Sequence, residues 1–167
     1  MNKIVLSALL QGVLFSLPCL GANTDLADPE LTIVSGNAVY AQIAQAGNSN
    51  IAGVQQNGDG LYASISQPGS GNTALVQQQG SQQYYVLQQS GDNNYASLQQ
   101  SNSGNSATLS QSGSFNASYI VQAGTQNRAR VEQSGNFNLA TITQYAIGGS
   151  AIVRQTGDHG TATVIQY

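Results

Sequence analysis

QSGNFNLATITQ, residues 133–144, is the stretch whose reading decides the fold. Asn138, Ala140, Ile142 and Gln144 alternate along it with Leu139, Thr141 and Thr143. A period of two is the signature of a strand with one covered face, so the first four point inward and the other three outward. Ahead of them, Ser134 to Phe137 include Gly135, and glycine accepts the positive φ that a tight chain reversal needs. The segment therefore reads as one strand and one turn.

Working outward, the same pattern recurs every eleven residues without insertion or deletion. Its glutamines are Gln45, Gln56, Gln67, Gln78, Gln89, Gln100, Gln111, Gln122, Gln133, Gln144, Gln155 and Gln166. An aliphatic residue stands two places before each of them, from Ile43 and Val54 to Val153 and Val164. Two places earlier the residue is alanine, except at Tyr85 and Ser118. Glycine follows glutamine by two, with Asn102 and Ala146 as the departures. Asparagine holds at Asn50, Asn72, Asn94, Asn105, Asn116, Asn127 and Asn138, and gives way to Val39, Leu61, Gln83, Gly149 and Gly160. Such regularity describes one small unit stacked many times, not a globular core. A right-handed coiled coil also has an eleven-residue period. It is excluded because the apolar positions lie two apart, the aliphatics are largely β-branched, and glycine recurs in almost every unit.

Two units make a flattened coil of 22 residues whose two strands meet across a thin interior that alanine keeps narrow. The predicted fold is all-β: a β-solenoid, or cross-β stack, of six strand-turn-strand coils built from twelve units. At the spacing of hydrogen-bonded strands it stands roughly 29 Å tall. Residues 22 apart then sit above one another, stacking Tyr40, Tyr62 and Tyr84 outside, Phe115 and Phe137 at a turn, and Glu132 against Arg154. Inside, the amides of the twelve glutamines and of Asn50, Asn72, Asn94, Asn116 and Asn138 can donate and accept along each column. A lone buried amide is costly, whereas a column of them is satisfied.

The ends of the chain read differently. Residues 1–22 have Lys3, an apolar run from Ile4 to Leu17, and small Gly21 and Ala22, as a secretory signal does. The run is shorter than the ~20 residues of a spanning helix. With Pro18 before Cys19, lipidation is disfavoured, and removal of the signal leaves no cysteine. Residues 23–33 form an acidic leader with Asp25, Asp28, Glu30 and Pro29, and the solenoid takes in 34–167. Charged residues make up 7% of the chain and the formal charge is −3, which excludes both a nucleic-acid footprint and a charge-swollen disordered chain.

Catalysis, cofactor and metal readings are weak. His159 is the single histidine, in the last turn beside Asp158, and reads as a turn residue. Calcium-binding solenoids repeat aspartate in their turns, and here Asp59, Asp92 and Asp158 are isolated. A soluble solenoid binding ice or glycan needs a threonine array, yet Thr141 with Thr143 and Thr161 with Thr163 are not continued.

In the complete motif Gln-x-Gly-x-x-Asn-x-Ala-x-aliphatic-x-Gln, at residues 89–100 (QSGDNNYASLQQ) and 133–144, the chain resembles curlin. The resemblance covers residues 34–167. It implies a structural subunit of curli, the amyloid fibres of bacterial surfaces and biofilm matrix, lying outside the Gram-negative cell. It further implies export through an outer-membrane pore with periplasmic accessory proteins, and other curlin subunits as partners. The leader TDLADPE at residues 24–30, the absence of a glycine-rich segment before the repeats, the unbroken spacing, and Arg128, Arg130 and Arg154 resemble the minor, nucleating subunit. The ending Gln166-Tyr167 resembles the major one. Both ends of the stack, reading without polar caps, are expected to recruit further subunits by strand addition. The three arginines are candidates for attachment to an acidic surface polymer or lipid, against a plain reading as solvated side chains.

Overall fold

The computed structural model describes Ile4–Ala8 and residues 31–167. The signal segment apart from Ile4–Ala8, and the leader as far as Glu30, lie outside the described residues. All described elements are strands: β1 Ile4–Ala8, β2 Leu31–Ser35, β3 Tyr40–Ala46, β4 Ile51–Asp59, β5 Tyr62–Ser70, β6 Thr73–Ser81 and β7 Tyr84–Asp92. They continue with β8 Tyr95–Ser103, β9 Ser106–Ser112, β10 Ala117–Gln122, β11 Arg128–Ser134, β12 Leu139–Gln144, β13 Ser150–Thr156 and β14 Thr161–Gln166.

Odd strands form one sheet in the order β1-β3-β5-β7-β9-β11-β13, and even strands form the other, from β14 back to β2. From β2 onward each strand pairs in parallel with the one 22 residues on, for example Ile120 with Ile142 and Gln122 with Gln144. The chain therefore winds through both sheets once per pair of motifs, giving the six-coil solenoid that the repeat predicts. Every strand from β3 to β13 alternates buried with less buried residues, as period two requires.

The interior is a double file of alanines and aliphatics, from Ala41 and Ile43 to Ala151 and Val153, each no more than 5% exposed. At ~25 cal/mol per Å² no single unit buries enough apolar area to offset the entropy of ordering eleven residues. Stability accumulates only as coils stack. Tyr85, at an alanine position, is fully buried as well.

Two features differ from the sequence reading. Parallel pairing already takes in Leu31, three residues ahead of the first motif position, with Leu31 to Ser35 laid along Gly53 to Asn57. The motif glycine is also not always in the loop. Gly58 pairs with Gly80 and Gly69 with Gly91 inside the ladders, so the sheet continues into the corner and the reversal is tighter than four residues. Glycine is required there by close stacking. A Cβ on Gly69, whose φ is +124°, would lie 1.9 Å from the Gly91 carbonyl oxygen.

Candidate functional site: the amide ladders and the solenoid ends

Each sheet carries a glutamine ladder of uniform direction. In the odd sheet Nε2 of Gln45 donates to Oε1 of Gln67 at 2.7 Å, and the chain of donors runs through Gln89, Gln111 and Gln133 to Gln155 at 2.8 to 2.9 Å. In the even sheet Gln56, Gln78, Gln100, Gln122, Gln144 and Gln166 are linked the same way at 2.6 to 2.9 Å. The second amide hydrogen crosses to a backbone carbonyl of the other sheet, as from Gln67 to Ile51 at 3.1 Å and from Gln144 to Arg128 at 3.2 Å. The glutamines thus tie coil to coil and sheet to sheet, each bond contributing about 1 kcal/mol net.

The asparagines form a second ladder at the corners. Asn72 donates from its backbone N–H and its Nδ2 to Oδ1 of Asn50 at 3.0 and 3.1 Å, and from Nδ2 to the Gly91 carbonyl at 2.8 Å. Asn94, Asn116 and Asn138 repeat the arrangement, so each holds the coil below and the coil above. The glutamines and asparagines expected to line up are thus brought together in register. The sequence reading left Asn105 and Asn127 out of the ladder, yet Asn127 N–H donates to Asn105 Oδ1 at 3.0 Å on the opposite corner. Their column starts with Val39 and Leu61 and holds Gln83, which hides its polar character in a list of positions.

A left-handed residue in every unit was also missed. The residue before the asparagine position has φ between 52° and 71° in all twelve units, including Ala38, Ser49, Phe115, Phe137 and His159. Its identity varies so widely that no consensus marks it.

The two ends of the ladders are chemically complementary. At the amino-terminal end Oε1 of Gln45 and Oε1 of Gln56 are buried acceptors without a partner. At the other end Gln155 and Gln166 each donate one amide hydrogen across the interior, to Leu139 at 3.0 Å and Ser150 at 3.0 Å. A primary amide has two hydrogens, and in every coil below the second one reaches the next glutamine. β13 and β14 are the last strands of their sheets. β14 shows it: its residues alternate between exposed and half-buried where central strands are fully buried.

Outside, Tyr40, Tyr62 and Tyr84 stack with ring centroids 4.9 and 5.0 Å apart. Phe115, Phe137 and His159 form a second column at 5.0 Å spacing. His159 is thus a stacked turn residue, and Asp158 accepts hydrogen bonds from Asn136. Asp59 and Asp92 likewise accept from the backbone N–H of Asn37 and Ser70. Among the described residues no three His, Cys, Asp or Glu side chains are grouped to hold a metal ion. Arg154 Nε lies 2.6 Å from Glu132 Oε2, as the register predicts, and Arg130 pairs with the same carboxylate. The two guanidiniums hold the Glu132 carboxyl below its usual range. Arg128 is exposed and makes no ion pair among the described residues. Thr141 and Thr163 face each other on β12 and β14 only, so no extended threonine array is presented.

A stack of this kind defines a structural repeat protein, whose described residues present backbone edges and amide files. The curlin-associated repeat family matches residues 36–69, 103–135 and 124–157, together more than half of the chain. The chain belongs to the curlin-repeat family. Curlin repeats are units of extracellular curli fibres, so this is a structural subunit of that class, assembling with other curlin subunits. No curated protein and no solved structure gives a significant match.

Proposed function

We propose that the chain is the minor curlin, the subunit that nucleates fibre growth at the cell surface. The observation that carries this reading is the unbroken 22-residue register, which keeps two glutamine ladders continuous through all six coils and ends them in unfilled donors and acceptors. Forming a first coil orders the chain before stacking returns the free energy, so it is the slow step of polymerisation. A chain whose coils are already in register offers a fibre-forming partner a finished edge, and main-chain hydrogen bonds with matched amides then set the register of each addition.

The leader at residues 24–30 and the surface arginines support the same reading. Residues 1–22 act as the export signal, followed by passage through the curli pore with its accessory proteins. Arg128 supplies the cation for attachment to an acidic polymer or lipid, since Glu132 neutralises its neighbours. The major-subunit reading has one observation in its favour, the ending Gln166-Tyr167, whose ring stacks on Tyr145 at 5.9 Å.

The test adds folded chain, at a small fraction of the total, to a fibre-forming curlin partner and follows a dye that reports cross-β structure. The lag should shorten severalfold. An unchanged lag would overturn the nucleator role.

A further inference from the structure

At the amino-terminal end one strand sits where a rung of the solenoid belongs. β2 lies along β4 with Leu31 on Gly53, Thr32 on Val54, Ile33 on Gln55 and Val34 on Gln56. Within the solenoid the strands so placed present their motif residues: β12 carries β14 with Val164 on Ile142 and Gln166 on Gln144. β2 occupies the slot with the wrong side chains. Thr32 stands where an aliphatic belongs, and Val34 stands where a glutamine belongs. Val34 has no amide to donate, which is why Gln56 Oε1 is left buried and unpartnered.

We propose that β2 is a displaceable strap over this edge, and that the segment which replaces it is β14 of a second copy of the chain. Laid on β4 in the solenoid register, an incoming β14 sets Val164 over Val54 and Gln166 over Gln56. The same register brings Thr161 and Ala162 to the level of Ile51 and Ala52. The spare Gln166 amide hydrogen meets the orphaned Gln56 oxygen, and on the other sheet Gln155 meets Gln45 in the same way. Both mismatches of the strap, at Thr32 and Val34, are corrected by the replacement, and the two glutamine ladders keep one donor direction through both copies. Contact is consequently head to tail: the donor end of one chain on the acceptor end of the next. β1 covers β3 on the odd sheet, antiparallel, with Ile4 on Gln45. It lies in the segment assigned to export, so its removal clears that edge while the strap stays with the chain.

The inference rests on the fibre-subunit reading and adds a gate to it. The test uses the full chain expressed from Met1, in whatever processed form cells deliver, with Cys19→Ser and the pair Ile33→Cys and Gln55→Cys. These two positions face each other on the outer surface, and adjacent strands lie within disulfide reach. Oxidised protein, its strap locked, should elongate parental seeds at least about tenfold more slowly, and reduction should restore growth. Equal growth of oxidised and reduced protein overturns the strap while leaving the fibre reading intact. Failure of the parental chain itself to form fibres overturns both. In Val34→Gln the strap gains the missing amide, and elongation should slow about fivefold, the equivalent of one net hydrogen bond. Faster elongation of that variant counts against displacement.

Discussion

The two ends of the solenoid are made from the same motif and meet solvent differently. At the amino-terminal end Ala41 and Ile43 are as buried as any residue of the central coils, because strands lie across both sheet edges there. At the carboxyl-terminal end Ala162 and Val164, in the same motif positions, are only partly covered. An eleven-residue unit owns no core of its own. Burial arrives from the rung stacked on it, so identical residues have different energies according to where they stand.

The sharpest way to break this comparison is through glycine. Gly69→Ala in the middle of the stack drives a Cβ into the Gly91 carbonyl, whereas Gly157→Ala in the last turn meets nothing within 4 Å. Both carry the strain of a positive φ, +124° and +101°. Expected losses are about 4 kcal/mol or more for Gly69→Ala and about 1 kcal/mol for Gly157→Ala, measured by chemical denaturation of the folded monomer. Similar losses at both sites would show that stacking is not what selects glycine.

Glutamine gives a smaller contrast. Gln89→Leu deprives Gln67 of its acceptor and Gln111 of its donor, and also removes the bond to the Thr73 carbonyl. Two buried amide groups are orphaned, at about 3 kcal/mol in all. Gln166→Leu leaves one orphan, the Gln144 amide hydrogen that faces the half-buried last rung, and should cost about 1 kcal/mol of monomer stability. It should nevertheless impair elongation more than that figure suggests, since Gln166 is the donor offered to the next chain.

The smallest effect runs in the opposite direction and belongs to a fully buried side chain. The Tyr85 hydroxyl is buried and has no hydrogen-bond partner. Burial pushes its pKa well above the ordinary value of 10. The folded-state value is therefore higher than the unfolded one, so this contribution is intact below about pH 10 and is lost as pH rises beyond it. Tyr85→Phe should stabilise the monomer by about 1 kcal/mol at neutral pH and flatten the alkaline loss, as read from denaturation midpoints on either side of pH 10.

Much of this was legible in the sequence because the repeat is an address system. Eleven-residue spacing placed Gln67, Gln89 and Gln111 in one file and set Glu132 against Arg154, since both follow from counting by 22. The left-handed residue of each unit escaped notice because Ala38, Gln82 and Phe137 share no chemistry, only a backbone angle imposed by the corner. Asn105 and Asn127 escaped because their column begins with Val39 and Leu61, and one column here is apolar at one end and polar at the other. β2 escaped because Thr32 and Val34 reverse the motif's polarity, so pattern matching ends where backbone pairing does not.

By itself the sequence determined the period, the inward and outward faces and the residues that share a file, because parity and spacing are properties of the covalent chain. The tertiary structure decided the direction in which the amides point, and with it which end accepts and which end donates. It also decided that β2 fills the slot of a missing rung. Those outcomes depend on which side-chain oxygen finds a donor above or below it, and only the assembled stack supplies that neighbour.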